Sequence, residues 1–354
     1  MQGQHRRLIL SLCFDRASTA LGRYLLACGG ADQASTDHSS LQAFLPPGLR
    51  RNALPDPDAT QALTGRLLDE GWQMVALGDA GYPPLLASIS DPPGMLFVRG
   101  DTRCLSEPQI AMVGARGASP EGLGNASRFA RELSRAGFVI TSGLAYGVDS
   151  AAHQGALAGG RTIAVMATGP DRLYPARHRG LAQNIVDSGG ALVTEFPPGC
   201  GASKESFPQR NRIVSGLSLA VIVVEAALRS GSLITARLAG EQGREVFALP
   251  GSLHNPLSRG CHKLLREGAN WLESSEDLLA LFPSFQALAA GVDTDEPAGQ
   301  QAASPLLSLF TSGLNTLDQL QQRSGLPVAE LTEALTGLEL EGRVMRLPGG
   351  YGRA

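Results

Sequence analysis

Arg210-Asn211-Arg212-Ile213-Val214-Ser215-Gly216-Leu217-Ser218-Leu219-Ala220-Val221-Ile222-Val223-Val224-Glu225 is the stretch that decides the fold. Its second half, 219–224, is an unbroken apolar run, the pattern of a strand buried on both faces of a parallel sheet. Its first half begins at Phe207-Pro208-Gln209 and reads as a helical segment leading into that strand. Moving outward, comparable runs recur at 110–113, 138–141, 162–167, 191–194 and 246–249, separated by helical segments. Strand–helix alternation of this kind predicts an α/β fold: a doubly wound, extended Rossmann-like parallel sheet between 76 and 286.

The flanks read differently. Residues 1–75 are expected to form a small all-α module of the SAM or helix-hairpin-helix kind, broken by Pro46-Pro47-Gly48 and Pro55-Asp56-Pro57. A Gly-, Asp-, Pro-, Gln- and Ala-rich linker spans 287–304. Beyond it, 305–354 reads as a winged-helix module, with a second helix from 328 to 341 and a small wing around Arg343–Leu347 and Pro348-Gly349-Gly350. The would-be recognition helix carries Glu330, Glu333, Glu339 and Glu341 and no basic residue. Phosphates repel such a face, so protein contact is expected of it rather than major-groove reading.

Composition narrows the function classes. The net charge of −3 over 354 residues excludes a polycationic DNA-coating protein. Yet 161–237 holds nine Lys/Arg against five Asp/Glu, so the middle of the chain is locally cationic by +4 and the remainder sums to −7. Charge segregated in this way suggests an anionic ligand met by the middle of the chain. Lys204 and Lys263 are the only lysines and neither follows a glycine, which removes the Gly-Lys-Ser/Thr loop of P-loop ATPases. Cys13, Cys28, Cys104, Cys200 and Cys261 are odd in number and form no Cys-x-x-Cys pair, so reduced thiols of a cytoplasmic protein are expected, with no disulfide framework and no zinc site. No signal-type apolar core and no run of about 18 apolar residues points to a membrane.

In an open parallel sheet, ligands bind beyond the carboxyl ends of the strands. The turns at those ends are Gly114-Ala115-Arg116-Gly117, Ser142-Gly143-Leu144-Ala145-Tyr146-Gly147-Val148-Asp149, Thr168-Gly169-Pro170-Asp171 and Arg229-Ser230-Gly231-Ser232. Free backbone amides at such turns suit phosphate oxygens. Four of them on one edge, with Arg116, Arg210 and Arg212, point to an extended phosphate ligand. Phe207 stands between Lys204 and Arg210 and is followed by Pro208. An aromatic ring in a cationic segment suits base stacking, although a core phenylalanine on a solvated helix turn is the plain alternative. The Gly-x-Gly-x-x-Gly fingerprint of a dinucleotide cofactor is missing, since an arginine stands in Gly114-Ala115-Arg116-Gly117 where pyrophosphate needs close approach. No cofactor is therefore expected. There is no Gly-x-Ser-x-Gly elbow. Asp149 and His153 lie four apart without a third metal ligand and read as a helix-capping carboxylate and a packed histidine. Glu225 reads as a carboxylate that orients loop amides, with general base as the alternative.

These motifs together resemble the DNA-processing protein DprA (Smf) family. The resemblance rests on Ser142-Gly143-Leu144-Ala145, Gly147, Asp149 and His153. It continues through Phe207-Pro208-x-Arg210-Asn211-Arg212-Ile213, Val224-Glu225-Ala226, Ser230-Gly231-Ser232-Leu233-Ile234-Thr235-Ala236 and Pro250-Gly251-Ser252, and it covers about Tyr82 to Trp271. It implies a non-enzymatic protein that binds single-stranded DNA without sequence preference, protects it and loads the recombinase RecA onto it in natural transformation. It further implies a homodimer formed through the Rossmann-like domain. The implied DNA-binding residues are Gly114, Ala115, Arg116, Ser142, Gly143, Lys204, Phe207, Arg210, Asn211, Arg212, Gly231 and Ser232. Two departures stand out: Ala115 lacks the hydroxyl the family carries there, and His262 replaces an asparagine, a change expected to affect local packing. The rival reading is a nucleotide-processing enzyme of the phosphoribohydrolase type, with Glu225 near a Gly-rich loop on a related sheet. A pure interaction scaffold is the third, and it leaves the arginine cluster without a role.

Overall fold

The computed structural model describes residues 2–14, 18–45, 55–282, 285, 306, 309–310, 315–340, 344–347 and 350–353. Chain contacts divide it into two compact units, Met1–Val292 and Asp293–Ala354. The expected linker at 287–304, the Pro46-Pro47-Gly48 turn, and Glu341, Arg343, Pro348 and Gly349 lie outside the described residues.

The larger unit begins with helices α1 (Gln2–Phe14), α2 (Ser18–Cys28), α3 (His38–Phe44) and α4 (Pro57–Asp69). Strand β1 (Trp72–Ala76), the short helix α5 (Pro84–Ala87) and β2 (Met95–Gly100) follow. The alternating part runs β3 (Gln109–Val113), α6 (Pro120–Arg135), β4 (Val139–Ser142), α7 (Val148–Leu157), β5 (Thr162–Val165), α8 (Arg179–Asp187), β6 (Ala191–Thr194), α9 (Ser206–Gly216) and β7 (Ala220–Val223). It closes with α10 (Gly231–Glu241), β8 (Glu245–Ala248), α11 (Arg259–Arg266), β9 (Asn270–Trp271) and α12 (Ser275–Leu279).

Nine strands form one sheet in the order β1-β2-β6-β5-β4-β3-β7-β8-β9. From β6 to β9 every pairing is parallel. β2 runs antiparallel to β6, and β1 antiparallel to β2. Chain order reverses between β3, which continues to β4 on one side, and β7 on the other. The doubly wound expectation thus holds for the centre, while β1 and β2 correct a purely parallel sheet and a purely helical N-terminal stretch up to residue 75. β1 shows one exposed position, Gln73, among buried ones, so its period is too faint to announce a strand. Every residue of β3, β4, β5, β6 and β7 is buried, as helices on both faces require.

Two apolar clusters cover the two faces. One joins the N-terminal helices to the β1–β2 edge and runs on through β5 and β6, with Phe14, Tyr24, Trp72, Phe97 and Val193 at 2 % exposure or less. The other packs α6 and α7 against β3, β4 and β7 through Phe129, Leu133, Phe138 and Ile222. α6 is set by Ser119, whose hydroxyl accepts from the Gly122 amide as N-cap, and by Pro120 at the first helical position.

The smaller unit holds helices Leu317–Ser324 and Val328–Leu340 and a hairpin of β10 (Val344–Leu347) with β11 (Gly350–Arg353). A capping box from Thr316 and Gln319 starts the first helix and Gly325, at φ 66°, ends it. Leu320, Leu331, Leu335, Leu338 and Val344 form its core, and Glu330, Glu333 and Glu339 are exposed.

Candidate nucleic-acid interface

A pocket opens at the carboxyl edge of the sheet, above β3, β4 and β5. Arg116, Gly143, Ala145, Tyr146, Ala167, Tyr174, Pro175 and Phe207 line a shallow hollow open to solvent. The Arg116 guanidinium lies over the Phe207 ring, 4.7 Å from its centroid. Tyr174 meets the same ring edge-on at 5.9 Å. Tyr146 stands on the ring of His178 at 4.8 Å. Tyr146 and Tyr174 are 42 % and 46 % exposed, so two ring surfaces already face solvent. A cation above a ring beside exposed ring faces offers both phosphate neutralisation and base stacking.

The pocket wall is built by buried polar groups. Asp149, in the first turn of α7, accepts from the amides of Gly143 (3.1 Å) and Ala145 (3.2 Å). Between them sits Leu144 at φ 60°, the one described non-glycine residue in the left-handed region. Its carbonyl accepts from His178 Nδ1 at 2.8 Å. From below, the Arg210 guanidinium donates to the carbonyls of Gly143 (2.6 Å) and Val165. A Cβ at Gly143 would lie 2.4 Å from that guanidinium, so the close approach requires glycine. Burial pulls Arg210 down to about 10, against the opposing pull of Asp149; burial raises Asp149, with Arg210 and the loop amides acting the other way.

The structure therefore corrects two expected phosphate contacts. Arg210 and Arg212 are 4 % and 5 % exposed. Arg212 pairs through both terminal nitrogens with Glu195, whose side chain is 1 % exposed, and its Nε lies 2.9 Å from Asp91. Burial alone would lower Arg212; the Glu195 and Asp91 charges outweigh it and hold the guanidinium protonated. Ser142 is likewise internal, its hydroxyl donating to the Met112 carbonyl at 2.6 Å. Ser232 is buried, with its hydroxyl 2.5 Å from that of Ser230.

Of the other expected residues, Arg116, Lys204 and Gly231 are exposed, and Gly114, Ala115, Phe207 and Asn211 are half-buried. Arg116, Gly143 and Phe207 come together in the pocket; Lys204, in the loop before α9, does not line it. Asn211 Nδ2 donates to the Gly231 carbonyl at 3.4 Å, joining α9 to the start of α10. Ala115 is held by its backbone, its amide donating to Glu225 O (2.7 Å) and its carbonyl accepting from Val148 N (3.2 Å). Ala145, Tyr146, Ala167, Tyr174 and Pro175 were not among the expected site residues. Tyr146 lies within a Gly-rich turn that was singled out, and its place there was the available signal; Tyr174 lies three residues past the Thr168-Gly169-Pro170-Asp171 turn.

Glu225 holds loops together. Its carboxylate accepts from Ser119 N (2.8 Å), Ser119 Oγ (2.6 Å) and Asn255 Nδ2 (3.0 Å). A Cβ at Gly122 would press on it at 2.6 Å. His153 is fully buried with Nδ1 2.7 Å from Thr162 Oγ1, and burial lowers it to about 3, the setting of a packed neutral histidine. His262 Nε2 lies 3.0 Å from the Gly251 carbonyl, a local contact between α11 and the loop after β8.

A Rossmann-like sheet with a cation-and-ring pocket at its carboxyl edge, joined to a winged-helix unit, defines the class of protein. This chain belongs to the DNA recombination-mediator protein A family, whose profile matches residues 73–283, while the DprA winged helix domain matches 292–350. Among its relatives, protein Smf of Escherichia coli is 44 % identical over 285 residues, covering 77 % of this chain and 75 % of the relative. DNA processing protein DprA of Streptococcus pneumoniae is 45 % identical over 205 residues, 58 % of this chain and 72 % of the relative. The solved structure of S. pneumoniae DprA matches with a TM-score of 0.65 at 35 % identity, over 78 % of this chain and 97 % of that one. A DprA structure from Helicobacter pylori, described by its single-stranded DNA binding mode, matches at 0.55 and 32 % identity, over 60 % and 95 %.

Proposed function

We propose that this protein binds single-stranded DNA without sequence preference at the carboxyl edge of its sheet, protects it, and hands it to the recombinase RecA in recombination or natural transformation. The observation that carries the reading is Arg116 seated over Phe207 beside the exposed rings of Tyr146 and Tyr174. Every base has a ring face, so stacking of this kind tolerates any sequence, and the guanidinium meets the backbone. The H. pylori relative's binding of single-stranded DNA supports it. The DNA contacts in this reading are Arg116, Lys204, Phe207, Asn211, Gly231 and the backbone of Gly114 and Ala115. Arg210, Ser142, Gly143 and Ser232 shape the surface from within.

The protein acts by binding rather than by catalysis, and in the cytoplasm. The occupied carboxylate of Glu225 argues against a phosphoribohydrolase, since both of its oxygens are engaged in loop contacts. A homodimer through the sheet unit is supported by Trp271, 53 % exposed on β9 at the end of the sheet. The domain reading is a mainly helical module at 1–75 whose last residues begin β1, the DNA-binding domain at 76–286 and a winged helix at 305–354 whose acidic helix meets protein. Among the described residues no helix is long and apolar enough to cross a membrane.

A mobility-shift titration with single- and double-stranded oligonucleotides of mixed and homopolymeric sequence tests the reading. Tighter retention of single strands, regardless of sequence, is expected. Equal affinity for duplex, or release of free base from nucleoside monophosphates, overturns it.

A further inference from the structure

The edge continues beyond the pocket. The loops after β7 and β8 lie at the same carboxyl end as those after β3 and β4, because these strands are parallel. From β4 to β8 is three strand spacings, about 14 Å. The path between is continuous: Asn211 lies one helical turn after Phe207 on α9 and bonds to Gly231, two residues from Arg229. The two loops are laced together where Ala226 N donates to Leu257 O (2.6 Å) and Gly260 N to Ala226 O (2.7 Å).

This far surface has a definite chemistry. Arg229 and Arg259 are exposed and form no ion pair among the described residues, and His254, in the loop after β8, is exposed as well. No carboxylate occurs between Glu225 and Glu241, nor between Glu245 and Glu267. Glu225 itself is buried and engaged in hydrogen bonds to Ser119 and Asn255. Leu228 and Leu253 stand 53 % and 74 % exposed among these cations. Two adjoining loops that carry exposed arginines and no exposed carboxylate of their own suit the phosphates of a single strand.

We propose that the loops after β7 and β8 hold a second segment of the same single strand, with Arg229 and Arg259 each neutralising a phosphate downstream of the Phe207 pocket. This rests on the single-strand reading above and extends it: the footprint crosses the point where chain order reverses and covers both halves of the sheet. Short oligomers would fill the pocket half alone, and longer ones both halves.

The test compares oligothymidylates of four and sixteen nucleotides on the full-length protein and the Arg229→Ala/Arg259→Ala variant, across a salt series. The sixteen-mer should bind the variant more weakly, with the slope of log affinity against log salt shallower by about 1.4, at about 0.7 per lost phosphate contact. The four-mer should bind both proteins alike, and thermal melting should not change. An unchanged slope for the sixteen-mer overturns the second segment and leaves the surface to a protein partner. An equal loss for both lengths also overturns it, because the arginines would then serve the first segment or the fold. Should the parent protein bind neither oligomer, the single-strand reading itself fails, a result distinct from these.

Discussion

The rim of the pocket and the layer beneath it use the same side chain for opposite ends. Arg116 stands on the rim, exposed, with its guanidinium over Phe207. Arg210 lies below the floor, its guanidinium engaged by the carbonyls of Gly143 and Val165, and Arg212 is locked to Glu195 on the other side of α9. A free guanidinium recognises phosphate; a buried one must satisfy its donors internally or it destabilises the fold. The rim meets ligand, and the lower layer fixes the shape the ligand meets.

That division predicts separable losses. The largest falls on Arg212, because removing one partner of a buried ion pair leaves the other charge unpaired. Arg212→Ala should cost about 3–5 kcal/mol of stability, read from urea unfolding; a loss below about 1 kcal/mol would mean that Glu195 finds solvent and that the lower layer is not closed. Phe207 is half-buried, so its truncation divides differently. Phe207→Ala should weaken single-strand binding by about 1–3 kcal/mol with a small change in melting temperature. A large fall in melting temperature with normal affinity would move Phe207 from the rim into the core. The smallest effect is expected from removing residues 305–354, whose exposed Glu330, Glu333 and Glu339 oppose phosphates: DNA affinity should stay close to that of the whole chain. A strong loss in the folded truncation would give the winged helix a place on the DNA.

The same division marks what was legible in the sequence. The central strands were, because β3 to β7 are buried on both faces and read as apolar runs without a period to decode. β1 and β2 were not: they are added antiparallel beyond β6, with β1 at the edge, and β9 has two residues, too few for any pattern. The arginines misled because composition records charge and not direction. Positions 210 and 212 are two apart on a helix and point to different sides, a hint that one surface cannot receive both. Both sides of α9 prove to be covered, one by the Gly143 loop and the other by Glu195 and Asp91. Tyr174 reaches the pocket from three residues beyond the Thr168-Gly169-Pro170-Asp171 turn, whereas Tyr146 sat within a turn already singled out.

Salt dependence tests the division most directly, since it counts phosphates neutralised and is indifferent to how a loop is shaped. Affinity for a single-stranded oligothymidylate is measured over a salt series for the parent, Arg116→Ala and Arg210→Gln. The account predicts a slope shallower by about 0.7 for Arg116→Ala, and for Arg210→Gln weaker binding at the parent's slope. A parental slope in Arg116→Ala, or an equally flattened one in Arg210→Gln, would contradict it.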